Sequence, residues 1–268
     1  MTSLSFNKES TPLVSIIVTT FNRSTLLEET LGSILGQTFD DFELIVVDNM
    51  STDNTSDIIS VIGDSRIRYF KNENNGVIAV NRNFGIKHAK GRYVAFCDDD
   101  DLWFPNKLHL QVGLMELNPL YALCYTNAIA FYGNKITSMK MMRRTVSEEH
   151  FSHLLSGNFI PSSSVLIKRD IFSSIGFLSE NPLIREDYDM WLRVAYFYPI
   201  VGIDSSLIFY RVHSNNSAGN KANETLRAIR TFKGIVDLLG VPKYLVIPNL
   251  ILHFIKYLAY KIKNSIFF

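Results

Sequence analysis

Tyr93-Val94-Ala95-Phe96-Cys97-Asp98-Asp99-Asp100-Asp101-Leu102-Trp103-Phe104-Pro105 passes from five apolar residues through four aspartates into an aromatic segment. The apolar run reads as a buried strand with a carboxylate cluster at its end. Carboxylates this close repel and cannot all ionise cheaply in a low-dielectric crevice, so a divalent cation is the simplest resolution. Ligands of open α/β sheets bind in the crevice beyond the carboxyl ends of strands, where these aspartates fall. A charge run taken alone is more often a solvated turn. That reading requires neither the strand leading in nor the Trp-Phe-Pro segment that opens a helix.

Upstream, strand and helix signals alternate. Val14 to Thr19 is β-rich; Ser24 is positioned to cap a helix carrying Leu27, Leu31, Ile34 and Leu35 on one face. Phe42 to Val47 reads as a second strand ending at Asp48, and Ser51 to Asp53 open a helix with Ile58, Ile59 and Ile62 inward. Ile67 to Phe70, a turn at Asn74-Asn75-Gly76, a helix over Val77 to Ala89 and the Tyr93 strand complete the alternation. Such an order predicts a mostly parallel, Rossmann-like sheet flanked by helices, with right-handed crossovers.

Downstream the regularity weakens. Pro105 to Leu117 reads as a helix, Tyr121 to Tyr132 as a strand or strand pair, Ser163 to Lys168 as a short strand, and Ser206 to Val212 as a strand running into His213. Tyr188, Trp191, Leu192 and Ala195 recur at helical spacing, which puts Glu186 and Asp187 at a helix start. The expected organisation is one catalytic domain over 1–215 and a helical extension over 216–268.

With 268 residues, 47% of them apolar, the chain can bury a sizeable core. Lys plus Arg number 27 against 26 Asp plus Glu, a balance that provides no field for nucleic acid. Cys97 and Cys124 lack CxxC spacing and read as core hydrophobes of a reducing compartment. Met1 to Pro12 is polar without an apolar stretch, which argues against a cleaved secretion signal and for a cytoplasmic protein.

From Lys243 onward the chain is strongly apolar, but Pro248, Asn249, His253 and Lys256 interrupt it, so a spanning helix is not expected. Interleaved aromatics with Lys243, Lys256, Lys261 and Lys263 suit a helix lying in the headgroup region at the inner face of the cell membrane. The competing reading is a helix packed on the catalytic domain or on a second subunit of a homo-oligomer.

Five segments in order carry a family likeness: Val14-Ser15-Ile16-Ile17-Val18-Thr19-Thr20-Phe21-Asn22-Arg23, Ser33-Ile34-Leu35-Gly36-Gln37-Thr38-Phe39, Glu43-Leu44-Ile45-Val46-Val47-Asp48, the aspartate run, and Glu186-Asp187. Together, over residues 13 to about 215, they resemble the family 2 glycosyltransferases of the GT-A fold. The resemblance implies a metal-dependent, hexosyltransferase-like enzyme using Mn²⁺ or Mg²⁺. It also implies a nucleotide-diphosphate sugar donor, a UDP-sugar first among them, inversion at the anomeric carbon, and a glycan or lipid-linked acceptor in cell-surface polysaccharide synthesis. Thr19-Thr20-Phe21 stands where the family usually has Pro-Thr-Tyr, and Asn49-Met50-Ser51 replaces the commoner Asp-x-Ser. Phe21 keeps a ring to stack on a base but lacks the hydroxyl.

By the same resemblance, Asp100 is the principal metal ligand, Asp99 a ribose or neighbouring partner, and Asp101 a helix cap or sugar contact. Asp98 is either a ribose contact or the most structural member of the run. Thr19, Phe21 and Asn22 end the first strand at the nucleotide edge, and Arg82 and Asn83 match the family's Arg-Asn pair. Asp48 ends the second strand at that edge, where its carboxylate can accept from a base N–H; the alternative is a turn aspartate. Asp187 matches the base of the family's Glu-Asp pair, and Glu186 orients sugar or acceptor. The first turn of a helix favours the carboxylate form, and a helix-capping acidic pair is the plainer reading.

Strand alternation directs Arg211 and His213 to one face, Arg211 to clamp a phosphate oxygen and His213 to complete the metal shell. Asn215-Asn216-Ser217 reads as part of a loop closing over the donor. Two other functions share some of these features. Nucleotidyl transfer to a sugar phosphate predicts a glycine-rich loop after the first strand, and Thr20-Phe21-Asn22-Arg23 has no glycine. A cation- or carbohydrate-binding module would use the aspartates without catalysis.

Overall fold

The computed structural model describes residues 11–133, 135–140, 150–213 and 218–266, with side chains at 135, 137–140, 218–221, 245 and 260–266 outside that description. The polar Met1 to Ser10 and the Asn215-Asn216-Ser217 triplet lie outside the described residues. So do the side chains of Lys261 and Lys263.

The first half alternates as its sequence predicts: β1 (Val14–Thr20), α1 (Ser24–Leu35), β2 (Phe42–Asp48), α2 (Thr55–Ile62), β3 (Ile67–Lys71), α3 (Ile78–His88) and β4 (Tyr93–Asp98). These strands lie in the order β3-β2-β1-β4, all parallel. β1 and β2 are buried along their whole length, as sheets covered on both faces require. Alternate residues serve two cores: Ile17, Ile45, Val94 and Phe96 meet Ala79 and Ile86 of α3, while Ile16, Val18, Leu44 and Ala95 meet Leu27, Leu31 and Ile34 of α1. Gly91 permits the approach of α3's exit to β1, because a Cβ there would lie 2.6 Å from the Ser15 nitrogen and 2.7 Å from the Val14 carbonyl carbon.

The second half comprises β5 (Leu102–Trp103), α4 (Lys107–Leu117), β6 (Leu123–Tyr132), β7 (Lys135–Lys140), α5 (His150–Leu155), a 3-10 turn at Ser162–Ser164, β8 (Leu166–Lys168), α6 (Ile171–Ile175), α7 (Glu186–Phe197), β9 (Ile200–Arg211), α8 (Ala218–Leu239) and α9 (Lys243–Ile266). Its strands continue the sheet as β4-β8-β6-β9-β5, with β7 on β6. Here the pairing becomes mixed: β8 is antiparallel to both neighbours, β6 and β9 run parallel, and β5 is antiparallel to β9. The parallel expectation therefore describes the first four strands, and the three-residue β8 reverses direction at their edge.

Several local expectations are corrected. Ser24 does not cap α1 with its side chain; Asp53 reaches across from the β2 exit and accepts from the Ser24 N–H at 2.9 Å. The same carboxylate accepts from Thr55, so α2 begins at Thr55 rather than at Ser51 to Asp53. Pro105 starts no helix, because Leu102 and Trp103 pair with β9 and the Phe104 N–H donates to Leu207. Gln37 then sets the start of α4, accepting from the Leu108 N–H and donating to the Phe104 carbonyl. Ser163 and Ser164 belong to the 3-10 turn, not to a strand.

The C-terminal helices pack as a hairpin. Ala228, Phe232 and Ile235 of α8, with Val241 and Val246, join the core of Tyr188, Trp191 and Leu192, and Phe232 meets Tyr188 edge-on at 5.5 Å. Pro248 sits inside α9 rather than ending it. One side of α9 buries Val246 and His253, while Tyr244, Ile247, Ile251, Phe254, Ile255 and Leu258 form an exposed stripe at helical spacing. No helix among the described residues is long and apolar enough to cross a membrane.

Candidate active site

β1, β2 and β4 end level, with Thr20 paired to Asp48 and Thr19 to Asp98, so their exits share one edge. Beyond β4 the aspartates diverge, each held by a different part of the chain. Asp98 faces α3 and accepts from Arg82 at 2.6 Å. Asp99 accepts from the Thr20 hydroxyl at 2.8 Å and from Arg23 at 3.0 Å. Asp100 accepts from the same Arg23 nitrogen at 2.9 Å and lies 2.7 Å from His213 Nε2.

Asp101 is 1% exposed and accepts from the Ser163 hydroxyl at 2.5 Å and the Arg211 N–H at 2.9 Å. Burial, with the charge of Asp98 behind it, pushes the Asp101 carboxyl well above the ordinary range. Burial also raises Asp99, against the pull of Thr20 and Arg23. Asp101, read as a cap or sugar contact, is turned inward onto Ser163 and the Arg211 N–H, while Asp98, read as a ribose contact or as the most structural member, lines the cleft.

That cleft, of about 320 Å³, is lined on one side by Asp98, Arg82 and Ile78 and on the other by Glu186, Asp187 and Arg185. Arg82 joins the two walls, donating to Asp98 and, at 2.9 Å, to Glu186. Burial works to lower the Arg82 pKa, but the carboxylates of Asp98, Glu186 and Asp187 outweigh it and raise it. Burial raises Glu186, with Arg82 opposing. Asp187 is held at both oxygens, by Asn158 Nδ2 at 3.0 Å and by the Tyr188 N–H at 2.7 Å. Tyr210 also lines the cleft, its hydroxyl pushed up to about 12 by burial and by the charges of Asp101 and Asp98.

Other sequence-derived candidates have different occupations. Phe21 is 51% exposed at the β1 exit, a ring available for stacking. Thr19 is buried beside it at the same edge. Asn22, at a left-handed φ of 51°, is exposed at the β1 exit and accepts from the Thr52 N–H, which ties that exit to the β2 exit. Asp48 is 1% exposed and already accepts from Ser51 twice and from the Tyr69 hydroxyl, the turn-aspartate reading. Asn83 uses both ends of its amide on Leu178 and Glu180, away from the cleft.

Arg211 does meet His213 at Asp100, as alternation predicts. It donates to the Asp100 carbonyl and to Glu29, and lies over the Phe131 ring, so it braces the loop rather than presenting a phosphate clamp. Among the described residues no three metal-ligating side chains converge. Asp100 and His213 nonetheless supply an oxygen and a nitrogen at one point, with the Arg23 guanidinium on the same carboxylate oxygen. Two protein donors fit a Mn²⁺ or Mg²⁺ ion that takes its remaining ligands from water and substrate phosphates.

Sequence reasoning missed Thr20, Arg23, Asn158 and Ser163, and it missed Glu224 and Arg227, which α8 adds to the cleft wall. Arg23 carried a signal, since a cation three residues past a strand end can reach the next strand's exit. Glu224 and Arg227 carried none, being separated from Asp98 by the whole second half.

Residues 15–176, more than half of the chain, match the model of the Glycosyl transferase family 2. The UDP-Glc:alpha-D-GlcNAc-diphosphoundecaprenol beta-1,3-glucosyltransferase WfaP of Escherichia coli is 34% identical over 226 residues, 83% of this chain and 86% of that protein. The putative teichuronic acid biosynthesis glycosyltransferase TuaG of Bacillus subtilis is 31% identical over 214 residues, 78% of this chain and 83% of its own length. Among solved structures, S. aureus TarS 1–349 in complex with UDP-GlcNAc superposes with a TM-score of 0.66 at 18% identity, covering 82% of this chain and 66% of that one. The mannosyltransferase PcManGT of Pyrobaculum calidifontis, in complex with GDP-Man and Mn²⁺, gives 0.64 at 18% identity over 92% of this chain and 75% of its own. The mixed sheet with flanking helices is thus the GT-A arrangement, and the sequence matches carry more than fold: this chain belongs to the glycosyl transferase family 2.

Proposed function

We propose that the protein is an inverting transferase that moves a sugar from a nucleotide diphosphate, a UDP-sugar first among donors, to a lipid-linked acceptor in cell-surface polysaccharide synthesis. The observation that carries this reading is the single cleft in which Asp98 and Arg82, at the strand exits, face Glu186 and Asp187, at the start of α7. WfaP, by its name, uses UDP-Glc and a diphosphoundecaprenol-linked sugar, and it covers most of this chain.

In this reading the nucleotide lies along the exits of β1 and β2 with its base on Phe21, and Asp98 faces the ribose. Asp100 and His213 would hold Mn²⁺ or Mg²⁺, which would offset charge on the diphosphate leaving group. Asp187 takes the proton of the acceptor hydroxyl as that oxygen bonds to the anomeric carbon and the carbon–oxygen bond to the diphosphate breaks from the opposite face. Asn158 and the Tyr188 N–H hold that carboxylate in place. Glu186, neutralised by Arg82, orients the sugar. The catalytic domain spans 1–215, and the extension over 216–268 lends Glu224 and Arg227 to its rim.

The exposed stripe of α9 meets an anionic bilayer at the inner face of the cell membrane, with Lys243 and Lys256 exposed beside it. Vesicles containing phosphatidylglycerol bind the protein, and replacing Ile251 and Ile255 by Glu releases it. A shift from dimer to monomer in that variant, without vesicle binding by the parent, assigns the stripe to self-association instead. For the chemistry, Asp187→Asn retains donor binding by calorimetry and loses transfer. Loss of donor binding removes Asp187 from the role of base.

A further inference from the structure

The charged side chains of the cleft do not stop at Glu186. Arg227 of α8 lies 3.7 Å from Glu186, Glu224 lies 3.2 Å from Arg227, and Arg185 lies 3.6 Å from Glu224. With Asp98, Arg82 and Glu186 this makes a row of six alternating charges, starting at the strand exits and ending at the rim. Its inner three members, Asp98, Arg82 and Glu186, are tightly paired. The outer end is open: the side chains of Arg185, Arg227 and Glu224 are 31%, 34% and 50% exposed.

Two guanidiniums therefore converge on one carboxylate that is half in water. Arg227 is fixed by two donations to the Ile184 carbonyl, and Arg185 lies 5.7 Å over the Tyr188 ring, so both heads are placed before anything binds. Glu224 has no comparable anchor among the described residues, where its partners are these two arginines. An exposed carboxylate on a helix surface gives up such pairs at small cost. A phosphate group, with more acceptor oxygens and more charge, is the better partner for two fixed guanidiniums.

The geometry points to Arg185 and Arg227 as a seat for the diphosphate of the acceptor, with the Glu224 carboxylate as its internal placeholder. The inference rests on the reading of a lipid-linked acceptor and specifies how that acceptor is held. The seat lies beyond Glu186 from the strand exits, so it is separate from the donor diphosphate. It stands beside Asp187, where the acceptor sugar must present its hydroxyl, and on α8, whose partner helix α9 carries the exposed apolar stripe. A sugar joined through a diphosphate to a lipid would thread these three places in that order.

The test is calorimetry on the full chain saturated with UDP. The two probes are N-acetylglucosaminyl diphosphate on a short alkyl chain and the matching alkyl glycoside without phosphate. The wild type binds the diphosphate probe about tenfold more tightly. Arg185→Ala removes that difference, Arg185→Lys restores part of it, and Glu224→Gln widens it, a sign that loss of packing would not produce. Equal binding of the two probes by the wild type overturns the seat. So does unchanged discrimination in Arg185→Ala, or a diphosphate probe that competes with UDP instead of binding beside it. The readout needs no turnover, so absence of sugar transfer with discrimination intact would fault the proposed reaction and leave the seat standing.

Discussion

Replacing Arg82 by Met should unfold the two walls of the cleft from each other. The Arg82 side chain is 6% exposed and donates at 2.6 Å to Asp98 and at 2.9 Å to Glu186, whose own side chains are 32% and 14% exposed. Removing one partner of a buried pair costs about 3–5 kcal/mol because the other charge stays behind. Asp98 can rehydrate in part and Glu186 cannot, which places the loss at the lower end, about 3 kcal/mol at neutral pH. For a chain of this size that lowers the melting temperature by roughly 6–12 °C.

The loss carries a pH signature. Burial already raises Glu186 above its unfolded value, and without Arg82 it rises further, since Asp187 remains beside it. The folded variant then binds a proton more tightly than its unfolded chain, so its stability falls as pH rises above about 4.3, the unfolded glutamate value. The deficit relative to the parent should therefore be smallest near pH 4 and grow towards neutrality. Urea midpoints of parent and variant across that range measure it. A deficit below about 1 kcal/mol, or one that does not change with pH, would refute the argument that Arg82 holds the walls by charge.

Further outcomes are expected for five other substitutions. Lys107 is fully buried against Gln111 at 2.7 Å and the Trp103 ring at 3.8 Å, and burial pulls its ammonium down to about 7. The folded state thus releases a proton that the unfolded chain keeps, so parental stability rises with pH from about 7 to about 10. Lys107→Met flattens that slope and is the more stable by about 2–4 kcal/mol near pH 7, read from urea midpoints. Asp101→Asn, which turns an amide donor towards Ser163 or Arg211, loses about 2–3 kcal/mol. Asp100→Asn stays within about 1 kcal/mol of the parent and instead weakens Mn²⁺ binding by calorimetry. Gly91→Ala, driven into β1 backbone, loses about 3 kcal/mol or more by thermal unfolding, whereas Gly113→Ala, with nothing within 4 Å, gains about 0.5–1 kcal/mol.

The parallel half of the fold was legible because its strands are apolar throughout and its helices show one face. The second half was less so: β8 has three residues and β5 two, too short to leave a periodic signal, and their direction is set by partners far along the chain. In the site, Arg82, Asp98, Glu186, Asp187, Asp100 and His213 were found from strand ends, a helix start and family likeness. Which aspartate turns inward was not legible because four identical residues carry no register; Ser163 and the Arg211 N–H, which fill the Asp101 carboxylate, decide it. Asn83 and Arg211 show the same limit, since polar residues at a site's edge are as readily used to hold loops.

The contacts that shape the aspartate run come from Thr20 and Arg23, from Ser163, and from Arg211 and His213. During synthesis the first of these is made long before the run and the last about a hundred residues after it, with 113 positions between Asp100 and His213. Arg82, Thr20 and Arg23 can meet Asp98, Asp99 and Asp100 once β4 is made, whereas Asp101 waits for Ser163 and for the Arg211 N–H of β9. Closure over such separations is slow, and it comes last. Asp101, the most buried carboxylate of the run, is therefore satisfied only in a chain that has reached β9. The strand-exit wall of the cleft thus waits for the second half of the chain to complete it.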